Sequence, residues 1–433
     1  MSDLEKRLSE AVEARRNELV ELCSELIGYN TSARDPGDPP GEEAALQARL
    51  AGRLRAAGVE VELWEPKPAA AAGVTVPPGF RFEGRPQLLA RRRGTGGGRS
   101  LLLNGHVDVV PPGPEEAWTA APRSAQLRDC RLYGLGSCDM KGGVAAMIVA
   151  VEALTALAVQ TAGDVLVCTV TDEESTGAGA AALVARGVRA HAGVIPEPTG
   201  LDVWTASRGA SIATITVTGR PGHAGLVRRG DDRAAAVNAI DLTAPLLDAL
   251  HRLRDDWHFD AEHAHPLLAT GDIVPISIEA GDWLVTHPSS CRLRCHVSFT
   301  PAQADEQGLG GPVRRELERR LAAVAAEDSW LREHPPIVEW TAGVPTAEVA
   351  GDHPIVEVLR GAAADMGRDS GLSSRTTWYD GVTFTRGGIP TVACGPGDIA
   401  QAHAVDEFVP VDDLVAAAKC LALTVVRFCG IKR

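Results

Sequence analysis

Apolar runs of strand length recur along this chain, and each breaks off into a loop bearing histidine or acid: SLLLNGHVDVV, DVLVCTVTDEESTG, GVIPEPTG and GIPTVACGPGDIAQAH. Helix-length apolar patterns alternate with them, GGVAAMIVAVEALTALA after the first run and VDDLVAAAKCLALTVVRFC after the last. That alternation predicts an α/β architecture, a parallel or mixed sheet sandwiched by helices. Upstream, two amphipathic helices are expected at about 4–28 and 42–57, flanking the loop TSARDPGDPPGEE and leading into the strand VEVELWEP. After the loop AAAAGVTVPPG, the segments PQLLARRRG, a GTGGG turn and SLLLNGHVDVV together read as a β-hairpin.

From about residue 208 the character changes. GASIATITVTG and SCRLRCHVSF alternate as half-buried strands do, while RAAAVNAIDLTAPLLDALHRL and GGPVRRELERRLAAVAAE read as helices. This predicts a small α+β unit over 208–342, inserted into a larger domain made of 1–207 and 343–433. A chain of 433 residues has room for two or three units at about 150 residues each.

A net charge of −14 with no long basic run argues against nucleic acid or an anionic membrane as partner. The start, MSDLEKRLSEAVEARRNELVELCSELI, has leucines at helical spacing and no apolar core of a signal peptide. No run approaches about 18 apolar residues, so no membrane span is expected. Nine scattered cysteines form no Cys-x-x-Cys and no disulfide framework, which points to the reducing cytoplasm.

The polar residues at the ends of the apolar runs form a set. His106 and Asp108 lie two apart on a strand end and so share a face. Asp139 sits in the glycine-flanked loop YGLGSCDMKGG, Glu197 between two prolines, and His403 after a glycine-rich loop. TVTDEESTG places Asp172, Glu173 and Glu174 side by side, where like charges repel unless a cation or a proton-transfer task compensates. Taken singly, each has an ordinary explanation: a hydrogen-bonded core histidine, a helix cap, an acidic first turn. Together they all fall where the active site of a doubly wound sheet lies. Two imidazoles with several carboxylates suit zinc, and a carboxylate can bridge two ions. One glutamate more than a two-zinc site needs is then left to act as base on the attacking water and to return the proton to a leaving nitrogen. One of the adjacent glutamates faces metal and the other faces water.

The motifs His-x-Asp, Asp-Met-Lys-Gly-Gly, Glu-Glu, Glu-Pro-Thr and Gly-Pro-Gly-Asp with Ala-His and Asp-Glu occur in this order from about residue 100 to 415. In this the chain resembles the di-zinc peptidase and deacylase family of acetylornithine deacetylase, succinyl-diaminopimelate desuccinylase, aminoacylase and carboxypeptidase G. The resemblance implies a zinc-exopeptidase-like catalytic domain with two zinc ions, replaceable by cobalt, on His106, Asp139, Glu174, Glu197 and His403, with Asp139 bridging. It gives Glu173 the role of base and Asp108 that of orienting His106. The inserted unit resembles the family's lid, which pairs into a homodimer. In GRPGHAG, His223 matches a histidine that reaches the partner's active site and steadies the tetrahedral oxyanion. A cis peptide after Asp139 is also implied. The substrate class implied is a small N-acyl compound whose acetyl, formyl or similar group is removed. The lid departs from the family pattern: LVTHPSSCRL has Val285 where asparagine is common, and CRLRCHVSF lacks Asp-x-Arg. A substrate carboxylate is therefore not implied, with Arg292, Arg294, Arg375 and Arg386 as the alternative anchors. A dipeptidase or carboxypeptidase would share all the metal residues, and a non-catalytic binding protein would have lost one. HAH at 263–265, RGTGGGR and Cys138 read as a surface loop, a turn and a packed thiol.

Overall fold

The computed structural model describes residues 1–33, 38–71, 74–225, 236–281, 283–341 and 343–432. Parts of the predicted loops at 31–43 and 69–79, the start of the helix expected from 233, and Ala342, the expected end of the inserted unit, lie outside the described residues. The chain divides into two units, a larger one of Met1–Thr205, Glu348–Ser374 and Tyr379–Arg433 and a smaller one of Ala206–Ala347 with Arg375–Trp378.

In the larger unit a mixed sheet runs in the order Glu60–Trp64, Gln87–Arg92, Val165–Val170, Leu101–His106, Ala192–Ile195, Thr391–Ala393, Val203–Ser207. Leu101–His106 pairs in parallel with both Val165–Val170 and Ala192–Ile195, and all three strands are buried throughout. The reason is visible in the sequence, since a strand apolar on both faces is stable only between two covering layers. Helix Lys141–Ala156, apolar on all sides, is one cover, and Val411–Cys429 and Arg16–Gly28 pack against it. Leu101 and Leu103 join that core, while Leu102 points to the other side.

The expected hairpin does not form. Strand Val165–Val170 lies between its two arms, antiparallel to Gln87–Arg92 and parallel to Leu101–His106. The glycine-rich connection crosses the start of that intervening strand, where the Gly94 amide donates to Asp164 Oδ1 at 2.7 Å and Thr95 to the Thr161 carbonyl at 2.9 Å. The helix expected over 4–28 is also two, Asp3–Glu13 and Arg16–Gly28.

The smaller unit contains a four-stranded antiparallel sheet in the order Asp272–Ala280, Ser290–Phe299, Gly209–Thr218, Ile337–Trp340. Burial alternates along Gly209–Thr218 as its sequence predicts, and the inward residues Ala213, Ile215 and Val217 pack with Leu246, Leu250 and Leu317 of helices Ala239–Phe259 and Gly311–Glu327. The first of these helices starts at Asn238, whose side chain caps the Ile240 amide, and continues past the predicted end.

One close approach ties the larger unit's packing to its polar loops. Gly143, in the first turn of Lys141–Ala156, lies so near the backbone before Glu197 that a Cβ there would stand 2.0 Å from the Pro196 carbonyl oxygen. Gly143→Ala should therefore lower stability by about 1–3 kcal/mol, as overpacking against backbone does, and a thermal melt measures it. An unchanged melt would mean that the helix shifts freely.

Candidate active site

The His106 strand and the strand before the acid cluster end level with each other, His106 lying opposite Val170. Buried amides hold this edge: Gln47 Nε2 donates to the Thr169 carbonyl at 2.9 Å, and Gln87 both donates to Thr171 Oγ1 at 2.8 Å and accepts the Thr171 amide at 3.0 Å. Asp172 then turns left-handed at φ 72°, a conformation aspartate tolerates better than most residues. The turn closes where the Thr176 and Gly177 amides donate to the Asp172 carbonyl at 3.1 and 2.7 Å. It splits the two glutamates. Glu173 is buried, and Glu174 reaches His403, whose Nε2 lies 3.1 Å from Glu174 Oε2.

His106 Nδ1 lies 2.9 Å from the Asp108 carbonyl oxygen, so Nδ1 donates there, and Nε2, which faces Asp139, is the nitrogen that would give up its proton to bind a metal. That Nε2 is 3.0 Å from Asp139 Oδ1, and His403 Nε2 is 3.8 Å from Asp139 Oδ2. His106, Asp139 and Glu174 each offer one ligand atom, all within 4.8 Å of one another. Glu197 is buried at the end of its strand, and its charge acts on His106 and Glu173. This nitrogen and oxygen donor set fits a borderline divalent ion.

Asp108 holds His106 through its carbonyl, while its carboxylate, 3.9 Å from Nδ1, accepts the Glu173 and Glu174 amides at 3.3 and 3.0 Å. It thereby fixes the glutamate turn as well as the imidazole. His223 belongs to the smaller unit, where it is exposed and its Nδ1 accepts the Gly225 amide at 3.1 Å. In the same unit Val285 is exposed, Arg292 is exposed, Arg294 lies 3.8 Å from Glu279, and Arg375 Nε donates to Thr377 Oγ1 at 3.0 Å. Arg386 is exposed in the last turn of helix Asp380–Arg386. The His263–His265 segment is used locally: His265 Nδ1 accepts the Leu267 and Leu268 amides, each at 3.1 Å. Cys138 is packed, and burial pushes its thiol well above the ordinary range. The bond between Asp139 and Met140 is cis.

Three buried groups were given no role by the sequence reading, although Lys141 and Glu407 stand in its Asp-Met-Lys-Gly-Gly and Asp-Glu motifs. Glu407 accepts backbone amides from the Asp139 loop, Lys141 Nζ donates to the Tyr29 carbonyl at 3.0 Å, and Asp380 Oδ2 accepts from Asn104 Nδ2 at 3.4 Å. Asp380 stands in the sequence as an ordinary helix-start acid, and only its burial distinguishes it.

The cluster is a strongly negative interior. Burial raises Glu173 well above the usual carboxylate range, His106 opposes this, and Glu197, Glu174 and Asp380 add to it. Burial likewise raises Glu174, against the hydrogen bond from His403. For His106, burial disfavours the imidazolium, yet Asp139, Glu173 and Glu197 together lift its pKa well above 6.5. Burial also takes Asp172 up to about 7 and Glu407 up to about 8. All these groups bind protons more tightly folded than unfolded, so stability falls as pH rises through the interval between the two values. Lys141, lowered by burial to about 8, acts in the opposite sense only above that pH. Chelator-treated protein should therefore lose thermal stability from about pH 5 to about pH 8, and added divalent metal should reduce the loss by replacing those protons. Melts across this range with and without zinc check it; a flat or rising metal-free profile would contradict the electrostatic reading.

The model of peptidase family M20/M25/M40 matches residues 102–427. The chain is 27% identical to N-formyl-4-amino-5-aminomethyl-2-methylpyrimidine deformylase of Bacillus subtilis (strain 168), over 98% of each chain. It is 32% identical to acetylornithine deacetylase of Myxococcus xanthus, over 94% of this chain and 96% of that one. Among solved structures, a dinuclear metal-binding peptidase of the M20 family from Bacillus subtilis matches with a TM-score of 0.65 at 13% identity, over 96% of this chain and 99% of that one, which shows the shared fold. The match over most of its length and the two full-length relatives place the chain in peptidase family M20/M25/M40, as a hydrolase of amide bonds.

Proposed function

We propose that this chain removes a formyl, acetyl or similar acyl group from an amino acid or related small amine, and that His106, Asp139, Glu174, Glu197 and His403 would hold two zinc ions for the reaction. The convergence of His106, Asp139 and Glu174 within 4.8 Å, beside a buried spare glutamate, carries this reading. Zinc, or cobalt in its place, would supply Lewis acidity toward the acyl carbonyl and the attacking water. Glu173 takes the proton of the attacking water and delivers it to the leaving nitrogen. Burial raises its pKa in the metal-free cluster and bound cations would lower it again, opposing effects that suit a group which takes a proton and then returns it. Asp108 keeps that turn in place through the two amides it accepts. His223 has Nδ1 engaged as an acceptor, which leaves Nε2–H to donate to the developing oxyanion in the partner's site.

The substrate need not carry a carboxylate. Val285 and the absence of Asp-x-Arg in the smaller unit's strand remove the family's usual anchor, and the full-length relative named as a deformylase acts on an aminomethylpyrimidine. We place the enzyme in the cytoplasm, consistent with nine free cysteines; no helix among the described residues is long and apolar enough to cross a membrane.

A homodimer through the smaller unit completes the proposal. Asp272–Ala280 is an edge strand with Val274, Ile276 and Ile278 exposed at alternate positions, and the nearby Leu284 is fully exposed. An apolar open edge of this kind is a pairing surface. Light scattering at micromolar concentration should give a dimer, and Ile276→Lys with Ile278→Lys should give monomer; a monomeric wild type would contradict it.

Activity is tested with zinc-loaded protein on N-formyl, N-acetyl and N-succinyl amines, each with and without a carboxylate, and on dipeptides. Glu173→Gln should keep metal and fold while kcat drops about 10²–10⁴-fold or more, whereas Glu174→Gln should weaken metal binding. Near-full activity of Glu173→Gln at saturating substrate would overturn its role, and cleavage of dipeptides alone would make the enzyme a peptidase.

A further inference from the structure

Asp139 occupies the middle of the ligand cluster, yet it is carried by a run of turns between strand Arg131–Tyr133 and helix Lys141–Ala156. Irregular backbone needs partners for its amides, and here they converge on one side chain. Glu407, 1% exposed, accepts the Cys138 and Asp139 amides on Oε1 at 2.7 and 3.0 Å and the Gly136 amide on Oε2 at 2.9 Å. Strand Phe408–Pro410 delivers it, pairing antiparallel with Arg131–Tyr133 so that Phe408 lies opposite Tyr133, and the Glu407 carbonyl accepts the Gly134 amide at 2.9 Å. The loop is closed at its far end by the Lys141 amide on the Gly136 carbonyl at 2.8 Å. It has little slack, because a Cβ on Gly136, at φ 78°, would meet Val109 Cγ1 at 2.5 Å.

We infer that Glu407 is a positioning residue for the metal centre: its carboxylate is the template on which the Asp139 loop folds, and it sets how tightly Asp139 holds metal. Both oxygens of the Glu407 carboxyl accept from inward-pointing N–H groups, three in all, and these favour its ionised form against the burial that opposes it. A glutamine would turn an NH₂ toward at least one of them, and an aspartate would fall short by a methylene. Glu407 touches neither substrate nor metal in this scheme and acts through the Asp139 backbone. The inference rests on the proposed role of Asp139 as a metal ligand.

The test measures zinc affinity of chelator-stripped protein by competition with a chromophoric chelator, for wild type, Glu407→Gln, Glu407→Asp and Val409→Ala. Val409 is a fully buried neighbour on the same strand whose truncation lowers stability without touching the loop amides. Both Glu407 variants should bind zinc about 10–100-fold more weakly, the usual effect of losing a group that orients a ligand, while Val409→Ala stays near wild type. Wild-type affinity in a folded Glu407 variant, or an equal loss in Val409→Ala, would overturn the inference. A readout that needs no variant is amide exchange in the wild type. The Gly136, Cys138 and Asp139 amides should be as protected as those of Leu101–His106, and rapid exchange there would overturn the clamp even if no variant folds. A wild type that binds no zinc would instead defeat the metal reading itself, with amide exchange still deciding whether the clamp exists.

Discussion

Buried negative charge is the constraint on which the rest of this structure depends. His106, Asp108, Asp139, Glu173 and Glu197 are each less than a tenth exposed, and Asp380 and Glu407 lie buried close behind them. Carboxylates removed from water repel one another and lose hydration, a cost that a globular protein sustains only where a cation or bound protons offset it. In the absence of metal, burial raises the glutamates and the neighbouring carboxylates raise His106, so the cluster favours bound protons. A divalent cation is the natural replacement.

The packing around the cluster serves to keep these groups in place against their mutual repulsion. Parallel strands carry His106, Glu173 and Glu197 at or just beyond their ends, and the buried amides of Gln47 and Gln87 secure the strand end beneath the glutamate turn. The Gly143 contact with the Pro196 carbonyl brings the central helix against the loop that carries Glu197. Asp108 and Glu407 do for two loops what a ladder does for a strand, each satisfying consecutive backbone amides with one carboxylate.

Much of this was legible in the sequence because its signals are local. An apolar run with polar residues at its end states both that a strand is buried and where it emerges, and this gave the sheet, the covering helices and His106, Glu173, Glu174, Glu197 and His403 as candidates, with Asp139 added from a glycine-flanked loop before a helix. Strand order is not local. The runs at 87–92 and 101–106 look the same whether they pair directly or flank Val165–Val170, so the hairpin reading failed although both strands are real. The two-residue spacing of His106 and Asp108 showed their proximity but not that the carbonyl would meet the imidazole while the carboxylate turned to another loop. The Asp-Glu motif marked Glu407 but not its task, because its partners lie some 270 positions earlier in the chain.

The central claim, that this acidic interior is a two-cation site, is tested most directly by metal stoichiometry. Elemental analysis of protein purified without chelator should give about two zinc ions per chain, or two cobalt ions after exchange, as a set of two imidazoles and three carboxylates implies. Protein reproducibly free of metal, with activity indifferent to chelator and to added zinc or cobalt, would contradict the account.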